Sequence, residues 1–129
     1  MGDTVYIVEP APEERARIAE VLSGESIDLR PFASAEQLIE ALVPTACGCV
    51  LVPADLPGTG AYGLIAEIRR RQLGVAVVVI GRENDLRAAV DLVRAGATDF
   101  VEHPASTYRI RSAVRRAIAA ARVAGAHAR

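Results

Sequence analysis

The sequence predicts an α/β fold: five strand-then-helix units, (βα)5, folded as one doubly wound parallel sheet of order 2-1-3-4-5 in a single domain. Three observations predict it. Short β-branched runs alternate with segments of helical periodicity five times within 129 residues. Two of the runs, Cys49 to Val52 and Val75 to Ile80, are continuously apolar, as strands covered by helices on both faces must be. The connections are short, which favours right-handed crossovers between parallel neighbours.

Each element carries its own signal. Thr4 to Val8 is β-branched or aromatic and stops at Glu9-Pro10, where proline removes a backbone donor; this is the first strand. Pro12 suits a first helical position, Ile18, Val21 and Leu22 recur on one face, and Ser23-Gly24 ends that helix. Ile27, Leu29 and Phe32 form a short second strand. Ser34 is placed to cap the second helix, with Gln37 at the capping-box position and Leu38, Ile39, Leu42 and Val43 on one face until Pro44. A Gly/Pro loop at 57–60 separates the third strand from a helix with Leu64, Ile65 and Ile68 inward. Arg69, Arg70 and Arg71 close that helix, where positive charge complements the dipole. Asn84 or Asp85 starts a fourth helix that uses Leu86, Ala89, Val90 and Val93 and ends at Gly96. Thr98 to Val101 is the fifth strand. The last helix starts near Ser106, buries Tyr108 or Ile110 with Val114, Ala117, Ile118 and Ala121, and fades into an Ala/Gly/Arg tail. The domain is bounded at 1–123, with 124–129 as a tail or linker entry.

Composition excludes several classes. With 51% hydrophobic and 24% charged residues the chain is globular, and no apolar run approaches the roughly 20 residues of a membrane span. Met1-Gly2-Asp3 leads directly into the first strand without a secretory signal, so a cytoplasmic location is expected. Residues 105–129 hold six arginines and no acid, which leaves a net −7 for residues 1–104 of a chain of net charge −1. Six arginines along a helix read as a solvated face, and no nucleic-acid partner is expected of this domain. Lysine is absent. Cys47 and Cys49, the two cysteines, lack the further ligands of a zinc site and read as two small buried apolar residues in a reducing compartment. No cofactor motif occurs: Gly58-Thr59-Gly60-Ala61-Tyr62-Gly63 lies after the third strand, where a turn explains its glycines.

In a sheet of this order, chemistry belongs at the carboxyl ends of the first, third, fourth and fifth strands, which puts Glu9-Pro10, Pro53, Gly81 and His103 around one crevice. Four strings there resemble the receiver domains of bacterial two-component systems, especially those of nitrogen-fixation-type regulators: V-Y-I-V-E-P at 5–10, F-A-S-A-E-Q-L at 32–38, V-L-V-P-A-D-L-P-G at 50–58 and A-G-A-T-D-F-V-E-H-P at 95–104. The resemblance covers residues 4–121 and implies a flavodoxin-like sheet. It also implies an acidic pair binding magnesium, an aspartate accepting phosphate, and a hydroxyl and a lysine holding the phosphoryl oxygens. Counted from the motif anchors, the acidic pair falls on Glu9-Pro10, the acceptor on Pro53, the hydroxyl on Gly81, the lysine on His103 and the switch aromatic on Phe100.

Each departure removes something the reaction needs. Pro53 has no oxygen to attack phosphorus, Gly81 has no hydroxyl, His103 offers an imidazole where a permanent ammonium is required, and Glu9 alone remains of the metal carboxylates. Phosphoryl transfer rests on positioning and charge neutralisation, so it should be lost, and no metal site or catalytic residue is expected. Asp55, two residues after Pro53, is an alternative acceptor. The expected function is therefore a non-enzymatic, degenerate receiver. It docks a protein partner or a second copy through the fourth helix, fifth strand and fifth helix, with Arg94, Arg111 and Arg115 available as anchors. An output domain outside this chain and transcription regulation follow from the same resemblance. The alternative is a small-ligand or nucleotide-binding domain.

Overall fold

The computed structural model describes residues 3–24, 26–82, 84–103 and 107–127, and the side chains of these up to Val123. Ten elements alternate: β1 (Asp3–Val8), α1 (Pro12–Leu22), β2 (Ile27–Phe32), α2 (Ala35–Ala41), β3 (Cys47–Pro53), α3 (Gly60–Arg70), β4 (Gly74–Arg82), α4 (Leu86–Ala95), β5 (Asp99–His103) and α5 (Thr107–His127). The strands form one parallel sheet of order β2-β1-β3-β4-β5. This is the expected flavodoxin-like arrangement.

Alternation along the strands divides the core in two. Val50, Val52, Val77 and Val79 face α2, α3 and α4, where Leu38, Leu64, Ile65 and Leu92 meet them. Val5, Ile7, Leu51 and Val78 face α1 and α5, against Ile18, Leu22, Ile110 and Val114. β3 is buried from Gly48 to Val52, which accounts for its unbroken apolar run.

Local chemistry sets the helix ends. Ser34 caps α2 by accepting the Gln37 N–H at 3.1 Å, while Gln37 Oε1 accepts from Ala33, one residue before the cap. Asp85, not Asn84, caps α4, its Oδ1 accepting the Ala88 N–H at 3.2 Å. Gly96 ends α4 at φ 127°, a conformation costly for a side chain, and Arg69 of α3 donates to the freed Ala95 carbonyl at 2.7 Å.

Several expectations are corrected. Leu86, Val90 and Val93 do not enter the core: Leu86 is 75% exposed, and α4 buries Leu92 instead. Leu92 and the small Ala88 and Ala89 turn inward, which carries the bulkier apolar residues to the outside. Tyr108 is 76% exposed, and Ile110 takes the buried place. Val43 lies beyond the end of α2, which stops at Ala41, and is exposed. Cys47 is exposed because it opens β3 at the rim of the helix layer, whereas Cys49, two residues on, is fully covered. β5 runs from Asp99 to His103, later than expected. The expected helix start at Ser106 and the isomer of the His103-Pro104 bond lie outside the described residues.

Candidate functional site

Where β1, β3, β4 and β5 end, a cavity of about 360 Å³ opens at the edge of the sheet. Glu9, Pro53, Asp55, Gly81 and His103 all line it. Pro10 is exposed and outside the lining; Phe100 is also outside it, behind Gly81.

Glu9 follows β1 and its backbone N–H donates to the Phe32 carbonyl at 3.0 Å. Its Oε2 accepts the Ala11 N–H at 2.9 Å, and its carbonyl accepts Arg15 Nη1 at 2.7 Å. Ala11 is the N-cap of α1 and has no acceptor of its own, so Glu9 supplies the charge that the helix start favours. Pro53 closes β3 opposite Ile80; the next residue, Ala54, donates to the Ile80 carbonyl at 2.8 Å, and Leu56 donates back to Pro53 at 3.3 Å to form the turn. The missing proline donor thus falls where the ladder ends. Asp55 is exposed within this turn.

Sequence reasoning overlooked Arg82, Glu14, Tyr62 and Asp85, which complete the polar lining together with Glu9, Asp55 and His103. Arg82 had a signal, since it directly follows Gly81, and it sits opposite His103 in the β4–β5 register. Glu14 and Asp85 could be assigned to the lining only from the packing of α1 and α4. Glu14 is paired with Arg17 at 2.5 Å and Asp85 is committed to the α4 cap. Among the described residues no three His, Cys, Asp or Glu side chains converge to hold a metal. A magnesium ion needs near-octahedral oxygen ligation with charged carboxylates, and these residues do not fit it.

Gly81 lies inside β4, opposite Glu102. A Cβ placed on it would stand 2.1 Å from Phe100 Cζ and 2.7 Å from Cε2. The aromatic ring therefore fills the space in which a side chain at position 81 would lie.

Over residues 5–115 the chain matches the response regulator receiver domain. It belongs to that family. Receiver domains are signalling modules, and several relatives of this one are named transcriptional regulators. The chain is 29% identical to the transcriptional regulatory protein FixJ of Azorhizobium caulinodans over 86% of its length and 53% of FixJ. It is also 29% identical to the C4-dicarboxylate transport transcriptional regulatory protein DctR of Rhodobacter capsulatus, over 100% of this chain and 68% of DctR. The receiver domain spans about half the length of most of the curated relatives it matches. Among solved structures, the signal receiver domain of a LuxO repressor protein from Vibrio parahaemolyticus superposes with a TM-score of 0.87 at 18% identity over 95% of each chain, a likeness of fold. NtrX from Brucella abortus superposes with a TM-score of 0.85 at 26% identity, over 95% of this chain and 28% of NtrX. Among the described residues no helix is long and apolar enough to cross a membrane.

Proposed function

We propose that this receiver domain signals without accepting phosphate, as a protein-docking module of cytoplasmic two-component transcription regulation. The observation that carries the reading is Pro53 at the end of β3: the motif register assigns the acceptor there, and the side chain lining the cavity has no oxygen to offer. The lack of fit to magnesium supports it, as do Gly81 and His103 in place of a hydroxyl and an ammonium.

The docking surface is the face of α4, β5 and α5. Leu86, Val90 and Val93 form one exposed row on α4, with Arg87, Asp91 and Arg94 beside them, and Tyr108 is exposed on α5. Apolar residues flanked by both signs of charge suit a second copy of the chain, with Asp91 of one protomer against an arginine of its partner. Two expected anchors are turned elsewhere: Arg111 is half-buried, its Nε donating to the Val21 carbonyl of α1 at 2.8 Å, and the exposed Arg115 lies one turn further along that same side of α5, so Arg94 is the arginine that remains beside the row. A stable contact of this kind covers roughly 800 Å² on each protomer. The domain is assigned to 1–123, although α5 itself runs on to His127, and 124–129 leads toward an output domain of the sort its longer relatives have room for.

Incubation with acetyl phosphate and magnesium tests the reading. The intact mass and the association state should both stay unchanged. Gain of one phosphoryl group, on Asp55 or elsewhere, would overturn it. A second reading, a small-ligand site, is favoured by the cavity itself: about 360 Å³ is near the lower end of the roughly 300–1,000 Å³ of ligand pockets. A small molecule retained through purification would decide for it.

A further inference from the structure

We propose that Gly81 and Phe100 form a fixed lock, a matched pair in which the absent side chain of one seats the ring of the other and holds the β4–β5 end of the sheet in a single state. Glycine inside a strand is unfavourable relative to alanine unless the backbone or a neighbour demands it. The backbone does not: Gly81 is absent from the positive-φ positions of the chain. The neighbour does, because a Cβ at 81 would meet three ring atoms of Phe100 at 2.1, 2.7 and 3.0 Å. Those atoms belong to the rigid ring, so only rotation of the whole side chain would relieve the contact.

The ring has reason to stay. It is half-buried against the core cluster that holds Val79, Leu92 and Ala97, beneath α4. Turning it into solvent forfeits that burial and leaves a void over Gly81, which disfavours the outward state by about tenfold or more. Because the space is vacated by the covalent structure itself, no modification or ligand is needed to admit the ring. The surface over it, β5 with α4, is therefore set at synthesis. This last step rests on the docking reading above; the lock itself rests on the contact alone.

The chain contains two phenylalanines, Phe32 and Phe100, so labelling with 4-fluorophenylalanine gives two fluorine resonances, assigned by Phe32→Leu. The Phe100 signal should be single, weakly sensitive to exchange of H2O for D2O, and unmoved by acetyl phosphate with magnesium. In Gly81→Ala it should shift and become solvent-sensitive, and the folding equilibrium constant should fall by about tenfold or more from overpacking. In a Phe100→Leu background, Gly81→Ala should instead be neutral or stabilising, as expected for a strand glycine relieved of its neighbour. Should Gly81→Ala not fold, recovery of the fold in Gly81→Ala/Phe100→Leu supports the lock and failure to recover overturns it. Two exchanging Phe100 signals in the unaltered chain, or a Gly81→Ala protein with full stability and an unmoved signal, would also overturn it. Sedimentation of the same samples separates the two readings: a lock confirmed in a chain that stays monomeric removes the docking reading and leaves the lock.

Discussion

Cys47 and Cys49 stand two residues apart on β3 yet differ in chemistry. Burial pushes the Cys49 thiol up to about 12, its Sγ donating to the Val50 carbonyl at 3.8 Å, so its thiolate is scarce at any ordinary pH, whereas Cys47 is exposed. An alkylating reagent at pH 8 should modify one thiol, Cys47, and reach Cys49 only after denaturation; rapid modification of both in the folded chain would contradict the burial. At the cavity the residues most legible in the sequence were those fixed by anchors on both sides: Glu9 by the proline after β1, Pro53 by the Leu-Pro-Gly turn, His103 by Pro104. Arg82 and the seating of Phe100 on Gly81 were not legible. The first was masked by the apolar run that ends before it, and the second is a contact between strands that no spacing along the chain encodes.

α4 shows where periodicity stops being informative. Its apolar residues recur at helical spacing, but so do its alanines, and pattern alone does not say which stripe meets the sheet. Packing favours the side with Leu92 and small neighbours, because the helix then approaches β4 and β5 closely, and Leu86, Val90 and Val93 are left outside. Replacing these three with serine should weaken self-association by an order of magnitude or more while changing stability by only about 0.5 kcal/mol per site, as surface substitutions do. Equilibrium sedimentation against thermal denaturation separates the two effects; loss of the fold would place the row in the core after all. α3 carries the clearest acid-sensitive element. Hydrogen bonds from Arg70 and then Arg71 pull the Glu67 carboxyl down to about 2. A carboxyl held below its ordinary value stabilises the fold above that value and loses the contribution as pH falls from about 4.5 toward 2. Glu67→Gln should therefore flatten the fall in melting temperature between pH 5 and pH 3, by a modest amount since the pairs lie at the surface, where solvent screens them. An unchanged slope would mean the ion pairs contribute nothing measurable.

At the scale of the molecule, the basic last helix and the acidic remainder are fastened together. Arg116 of α5 reaches Asp99 at 2.7 Å, Arg122 reaches Asp3 at 2.6 Å, and Arg111 takes the Val21 carbonyl at the end of α1. α5 spans the middle of the sheet, over β3 and β4, so these contacts tie its flanks to the first strand, the last strand and the first helix. The arginine count suggested a solvated face, and two of these arginines, Arg116 and Arg122, are paired with carboxylates of the chain. Binding to a duplex depends on cations that neutralise phosphates and release counterions, and arginines already paired with carboxylates would have to give up those partners first. The whole chain, at net −1, also has no long-range attraction to a polyanion. A mobility-shift assay with a mixed-sequence duplex at about 50 mM salt, where non-specific binding is strongest, should show no retarded complex at micromolar protein. The variant Asp3→Asn/Asp99→Asn frees two of the arginines without adding any. Weak, salt-sensitive retention in that variant alone would show that internal pairing is what withholds the helix from nucleic acid, whereas retention by the unaltered chain would show that α5 presents a binding face despite it.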